Sequence, residues 1–412
     1  MSSPYQDFLF LNQEFSPKNH LFAKYYLETD DDFLTIAGGI AAESSVGTWT
    51  KLSTQKADTF QKYCAKVYFA SPKKGIIQIA YPIDLFEPGN LPQLLSSIAG
   101  NIYGLKEVKK LKLLNLEFPE SYVKSFPGPQ IGLEGIRKIA GVYDRPLIGT
   151  IIKPKEGLNS QEHTEVAMET YRGGVDFVKD DENLTSPPFN LFSDRVNLLT
   201  DNMKQTGFLG KDKQKIYAFN ITASSEVMKV RAELVKQKGG NCIMVDILTC
   251  GFSGVQYIRN QNFGMIIHGH RALHAALTRD PHRGLTMLVI AKIARLAGID
   301  SLHTGTIVGK MEGGEEEVLE INKFLTSDWY GLKKVLPVAS GGLSPLDVPE
   351  LYKYFSNDIL LNFGGGIHGH PEGSFKGARA VYQAVEGTVK GLGLEEFSKS
   401  HEELKSALNH WQ

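Results

Sequence analysis

From about Arg145 onward one pattern recurs eight times without repeating its letters: a short apolar run ends in a polar or glycine-rich segment. The runs are LIGTII (147–152), GVDFV (174–178), KIYAFN (215–220), CIMVDI (242–247), GMIIH (264–268), IDSLH (299–303), VLPVAS (335–340) and ILLNFG (359–364). Between them TEVAMETYR (164–172), SSEVMKVRAELVKQ (224–237), GLTMLVIAKIARLAG (284–298) and EEEVLEINKFLT (315–326) read as helices. Strands that alternate with helices form a parallel sheet, and eight such units close into a barrel. The expected fold is α/β: a carboxyl-terminal (β/α)8 TIM barrel over 136–412, with a helical end, preceded by an amino-terminal α+β domain over 1–135. In that first domain KVYFA (66–70), GIIQIAYPI (75–83) and KLKLLNLEF (110–118) read as strands, and Ala37–Ala42 and Leu91–Ala99 as helical. The Pro/Gly-rich passage FPGPQIGLEG (126–135) joins the two domains.

Such a barrel gathers its strand ends on one rim, where its chemistry sits. The residues at or just after the eight runs are Lys153, Lys179, Asn220, Asp246, His268, His303, Ser340 and Gly364. A single polar site accounts for that set, although Asn220 and Asp246 can equally hold neighbouring loops. The sharpest group is VKDDEN (178–183), which puts Lys179, Asp181 and Glu182 at the end of a buried strand. Desolvation lowers the pKa of such a lysine. A neutral amine can take up carbon dioxide as a carbamate, whose oxygens resemble those of a carboxylate. With Asp181 and Glu182 this makes a hard oxygen site suited to magnesium.

Other rim motifs fit an anionic ligand. KPK (153–155) is read as an extended segment with Lys153 and Lys155 on one side, where paired ammoniums attract an anion and depress each other's pKa. HGHRALH supplies His268 and His270, facing the same way, and the Arg271 fork, which suits phosphate. No further cysteine or histidine set completes a zinc site around them. TGTIVGKMEGG (304–314) places Lys310 in a glycine-rich loop able to close over the barrel mouth. SGG (340–342) and GGG (364–366) offer backbone N–H groups that can surround a phosphate. Two anion sites at opposite ends of one mouth point to a bisphosphate.

Bulk properties narrow the partners. Lys and Arg number 45 against 46 Asp and Glu, which gives no nucleic-acid or membrane-surface signature. No apolar stretch approaches the length of a membrane span, and the first twenty residues carry no signal-peptide core. Cys64, Cys242 and Cys250 form neither a disulfide framework nor a close zinc motif. A cytoplasmic enzyme is expected.

Across about residues 20–395 the chain resembles the large subunit of ribulose-1,5-bisphosphate carboxylase/oxygenase (RuBisCO). The motifs that carry this are AAESSVGTWT (41–50), GNIYG (100–104), GTIIKPK (149–155), GGVDFVKDDEN (173–183), HGHRALHA (268–275), HTGTIVGKMEGG (303–314), VASGG (338–342) and FGGGIHGHP (363–371). The wording is most similar to the archaeal-type, form III enzymes, which are associated with salvage of nucleoside-derived ribose phosphates. The resemblance implies a carbamylated Lys179 that binds Mg2+ with Asp181 and Glu182. It implies Lys153 as acid/base with Lys155 tuning it, His270 on the substrate hydroxyls, and Arg271 and His303 on one phosphate. Thr48, Trp49, Gly341, Gly342, Gly364 and Gly365 would surround the other phosphate or line the approach to it, and Ser340 would bond a substrate hydroxyl. Lys310 would fold over carbon dioxide. Glu43 and Asn101 would come from the amino-terminal domain of a neighbouring copy, with Glu43 paired to Lys310, so the smallest active unit would be a head-to-tail homodimer. A small subunit is not expected. The implied reaction is carboxylation of ribulose 1,5-bisphosphate to two 3-phosphoglycerate, with an oxygenase side reaction. The alternative is a RuBisCO-like sugar-phosphate enolase or isomerase, whose members tend to lose Lys310, Asn101 or the AAESS motif, all retained here. One departure is Glu156, at a position that is usually apolar; it would either alter Lys153's proton affinity or face solvent.

Overall fold

The computed structural model describes residues 4–50, 52–210, 213–308 and 314–411. It divides into two compact units, each described by itself. The first runs to Pro127 and also includes Leu273–Ala297. The second comprises Gly128–Ala272 and Gly298–Gln412.

The first unit is built on a mixed sheet of β1 (His20–Glu28), β2 (Lys66–Ser71), β3 (Ile76–Pro82) and β4 (Lys110–Glu117). β1 pairs antiparallel with both β3 and β4, so it is the centre of the sheet. Sequence reading did not identify it. Leu21, Ala23, Tyr25 and Leu27 alternate inward and are buried, but Phe22 and Tyr26 on the other face blur the period-two signal. β10 (Gly284–Leu285) adds to the edge, parallel to β4. The helix Met287–Ala297 follows it in the chain, within the crossover between the parallel barrel strands Ile266–His270 and Ser301–His303. Lys292 Nζ donates to Asn115 Oδ1 and Leu116 O, both at 2.7 Å, which ties the helix to β4. All of its eleven residues except Lys292 are buried.

In the second unit the strands β5 (Leu147–Ile151), β6 (Phe177–Lys179), β7 (Ile216–Asn220), β8 (Cys242–Asp246), β9 (Ile266–His270), β11 (Ser301–His303), β12 (Leu336–Ser340) and β13 (Leu360–Phe363) form a closed parallel barrel. β13 pairs back onto β5 to close it. Lys179, Asn220, Asp246, His303 and Ser340 are each the last residue of a strand, as the rim requires. The fifth barrel strand departs from its expected end. It runs to His270, which pairs with Asp246, so His270 stands at the rim and His268 one layer inside.

The helix Gly132–Ala140 stops the opposite end. Its Leu133, Ile136 and Ala140 pack on the first residues of the strands, among them Leu147, Phe177, Ile216 and Cys242. Asp300 pins this plug. Its carboxylate accepts from the Ile131 and Gly132 amides, both at 2.8 Å, from Ile267 N at 2.9 Å and from Arg259 Nη2 at 2.5 Å. With the amino-terminal ends of the strands filled, only the carboxyl-terminal ends remain for a ligand. No helix among the described residues is long and apolar enough to cross a membrane. Asp300→Ala leaves the buried Arg259 guanidinium without its carboxylate. It is expected to destabilise the barrel unit by about 3–5 kcal/mol, read as a fall in the denaturant midpoint. An unchanged midpoint would show that the plug is held by apolar packing alone.

Candidate active site

The chemistry begins where β6 runs out. Strand alternation sends Lys179 and Asp181 one way and Asp180 the other. Asp180 is fully buried, and Arg195 Nε lies 3.1 Å from its Oδ1. Tyr217 Oη donates to the same oxygen at 2.6 Å, and the Asn220 amide donates to Oδ2 at 2.8 Å. Burial alone would push this carboxyl up; the adjacent Arg195, His163 and Tyr217 outweigh it and hold the group well below the usual carboxylate range. Asn220 Nδ2 adds a bond to Glu182 O at 2.9 Å, so this rim residue holds the neighbouring loop. The backbone of 180–182 is thus fixed from behind, and its functional side chains face forward.

On that forward side Lys179 is fully buried. Its Nζ donates to Asp180 O at 2.8 Å and lies 3.9 Å from Glu182 Oε2. Burial pulls its pKa down, against the opposing pull of Glu182, Asp181, Asp246 and Asp180. Asp181 Oδ2 accepts from Lys153 Nζ at 2.7 Å. Burial works to raise the Asp181 pKa, but the Lys153 hydrogen bond and charge, with Lys179 behind them, bring it below the ordinary value. Lys153, Lys179, Asp181 and Glu182 therefore converge. Lys155 does not join them. Residues 153–156 form a bend rather than an extended segment, so alternation does not apply, and Lys155 and Glu156 are exposed. Of the two expectations for Glu156, the structure gives the solvent-facing one.

The histidines stack along the barrel interior. The ring centroid of His303 lies 4.8 Å from that of His268 and 4.7 Å from that of His270, so the HxH pair does face one way. His270 Nε2 is 3.6 Å from Glu182 Oε2. Its Nδ1 lies 3.4 Å from Asp246 Oδ1 but accepts from the Ala272 amide at 3.2 Å. A nitrogen that accepts cannot also donate, so the contact with Asp246 is no hydrogen bond, and the buried Asp246 Oδ1 has no hydrogen-bond partner among the described residues. His303, expected beside Arg271 on a phosphate, instead has both ring nitrogens engaged by side chains, Nδ1 with Ser340 Oγ and Nε2 with His268 Nε2. Arg271 Nη1 donates to Thr304 O at 3.0 Å, and burial lowers its pKa to about 10. Gly305 permits this seat. Its φ is +99°, and a Cβ there would come within 2.8 Å of Arg271 Nη2.

Two glycine turns complete the rim. Gly341 and Gly342 follow β12, and Gly364 and Gly365 follow β13. The turns touch at Gly366, where a Cβ would meet Leu343 O at 2.1 Å. A Cβ on Gly364 would lie 3.5 Å from Lys153 Cε, so the second turn borders Lys153. His368, which sequence reading passed over, ties the second turn to β5. Its Nε2 donates to Ile151 O at 2.9 Å and its Nδ1 accepts from Ser374 Oγ at 3.0 Å. Burial takes its pKa down to about 4, so the ring is neutral at ordinary pH. A histidine two residues beyond a glycine turn is a weak signal in sequence; only packing against β5 gives it meaning.

In the first unit Asn101 Nδ2 donates to Glu43 Oε1 at 3.4 Å, which joins two residues 58 positions apart. Thr48 is half-buried and Trp49 is 77% exposed in the loop after the helix Phe33–Glu43. Lys310 lies outside the described residues.

Comparison with known proteins agrees with this arrangement. Residues 132–411 match the family model of the ribulose bisphosphate carboxylase large chain, catalytic domain, and residues 9–122 match its N-terminal domain. The chain is 43% identical to ribulose bisphosphate carboxylase of Methanocaldococcus jannaschii, covering 98% of this chain and 100% of that one. It is 46% identical to the Pyrococcus furiosus protein of the same name, covering 98% and 97%. Among solved structures, octameric Rubisco from Pyrococcus horikoshii OT3 superposes with a TM-score of 0.94 at 44% identity, covering 98% of this chain and 96% of that one. Dimeric archaeal Rubisco from Hyperthermus butylicus gives 0.91 at 39%, covering 99% of each. With both halves of the chain matched and the rim built from the same residues that carried the sequence motifs, the chain belongs to the ribulose bisphosphate carboxylase large-chain family.

Proposed function

We propose that the chain carboxylates ribulose 1,5-bisphosphate with carbon dioxide to give two molecules of 3-phosphoglycerate, with oxygen as a competing substrate. The observation that carries this reading is the convergence of Lys153, Lys179, Asp181 and Glu182 on one rim, with Lys153 Nζ 2.7 Å from Asp181. Among the described residues no three His, Cys, Asp or Glu side chains group as a metal site. Two carboxylates beside a buried lysine fit a divalent metal only if the lysine supplies the third oxygen. The donor set is then all hard oxygen, as magnesium prefers, and the unpartnered Asp246 Oδ1 is a further acceptor near it. Lys179, as its carbamate, with Asp181 and Glu182 would hold the ion. When loaded, the site supplies a Lewis acid for the substrate ketone and an anionic oxygen as a base.

The chain's own residues do the rest. Removal of the C3 proton gives an enediolate; carbon dioxide adds at C2, water adds at C3, and the C2–C3 bond breaks. Lys153 holds the proton returned to the carbanion that this cleavage leaves. His270 keeps its proton on Nε2, because Nδ1 accepts from Ala272, so it donates toward the substrate hydroxyls. Arg271 takes one phosphate and the turns at 341–342 and 364–365 take the other. Lys310 closes over carbon dioxide and excludes water. Glu43 and Asn101, hydrogen-bonded to each other, complete the site of a second copy, and the working form is a homodimer or an assembly of dimers without a small subunit.

Two outcomes test this. Lys179→Ala and Lys179→Arg both lack an amine able to form the carbamate. Each is expected to lose more than about 100-fold in C3 proton exchange and in labelled carbon dioxide fixation alike, since even partners one step removed from a metal cost up to that much. Full activity in either variant would remove Lys179 from the role. Mixed dimers test the shared site. Glu43→Gln and Lys179→Ala homodimers are expected to be nearly inactive. A doubly tagged mixed dimer should regain activity, because one of its two sites then carries neither defect. No recovery in verified mixed dimers would mean that each chain carries a self-contained site.

A further inference from the structure

Four side chains run in single file from the rim into the barrel. Ser340 Oγ lies 2.7 Å from His303 Nδ1, His303 Nε2 lies 2.9 Å from His268 Nε2, and His268 Nδ1 lies 2.8 Å from Ser301 Oγ. They come from the adjacent strands β12, β11 and β9. His268, Ser301 and His303 are each at most 2% exposed, whereas Ser340 is half-buried at the mouth. Burial holds both imidazoles well below the usual histidine range. Each ring is therefore neutral and carries one N–H.

That fixes the protons. Only one hydrogen fits between two Nε2 atoms 2.9 Å apart, so the two histidines must be opposite tautomers. If His303 holds the proton on Nε2, its bare Nδ1 takes the hydroxyl proton of Ser340, and Ser340 can only accept at the mouth. If His268 holds it, His303 carries Nδ1–H and donates to Ser340, whose own hydroxyl is then free to donate outward. In that second state His268 Nδ1 is bare and needs the hydroxyl proton of Ser301. The far end of the file thus bears on the near end through bonds that cannot be reversed singly.

We propose that Ser301, which has no place at the mouth, is a positioning residue for the reaction: through His268 and His303 it sets whether Ser340 donates or accepts a hydrogen bond to the bound sugar phosphate. The kinetic part rests on the proposed function above; the tautomer part does not. Ser301→Ala leaves His268 Nδ1 unpaired in the core and is expected to lower kcat/KM for ribulose bisphosphate about tenfold, the size of one buried hydrogen bond left unmade. Ser301→Thr keeps the hydroxyl and should restore it to within about twofold. In a Ser340→Ala background, adding Ser301→Ala should change kcat/KM by less than about twofold, because a residue that acts only through Ser340 has nothing left to act on. Nitrogen-15 spectra of the histidine-labelled wild-type protein, assigned with His268→Gln and His303→Gln, should give one Nδ1-protonated and one Nε2-protonated ring. The inference is overturned by matching tautomers, by an unaffected Ser301→Ala enzyme, or by the same tenfold loss with Ser340 already removed. If the wild-type chain does not turn over ribulose bisphosphate, the proposed function fails, and the spectra alone decide for or against the coupled tautomers.

Discussion

Everything at the mouth depends on the buried carboxylate of Asp180. It sits between Lys179 and Asp181 in the chain and collects Arg195, Tyr217 and the Asn220 amide on the side away from the mouth. A charge buried in this way is stable only with its partners in place, and such a pair contributes more to a unique arrangement than to net stability. Here the arrangement is what matters. With Asp180 held behind the strand, the two-residue period leaves Lys179 and Asp181 no choice but to face forward. The KDDE segment, which resembles a solvated charge run, becomes two layers: one that anchors and one that presents.

The forward layer is a balance of opposite charges at close range. Lys153 reaches Asp181 at 2.7 Å, and buried Lys179 is surrounded by acidic groups that resist the fall in its pKa. Each ammonium depends on a neighbouring carboxylate, and each carboxylate on an ammonium. A change at any one of them therefore alters the others, and single substitutions here cannot be read as independent losses. The same economy appears among the histidines, where His303 has no ring nitrogen outside the file from Ser340 to Ser301. His368 plays the matching structural part on the opposite side, linking the last glycine turn to β5 just before Lys153.

The glycines serve closeness as much as flexibility. Gly305 makes room for the Arg271 guanidinium, and Gly366 lets the two rim turns meet where any side chain would collide with Leu343 O. Both bring neighbouring rim segments close together. The plug of Gly132–Ala140 gives the barrel a closed floor.

Much of this was legible in the sequence because it depends on local period. Eight apolar runs separated by helical stretches gave the barrel, and the close spacing of Lys179, Asp181 and Glu182 at the end of one run gave a cluster of charged groups at the rim. Reading failed where a neighbour decides. β1 was passed over because Phe22 and Tyr26 mask its alternation until the sheet supplies a second face. Met287–Ala297 was legible as a helix from its place between two barrel strands; its attachment to β4 through Lys292 was not. KPK was read as extended, but the chain bends there, and of its two lysines only Lys153 reaches Asp181. His268 and His270 were placed one layer too far out because the end of β9 is set by its pairing with β8. A sequence states which groups are present and how they alternate. Which of them share a proton, as His268 and His303 do across 35 residues, is fixed only when separate strands bring their atoms within hydrogen-bond reach.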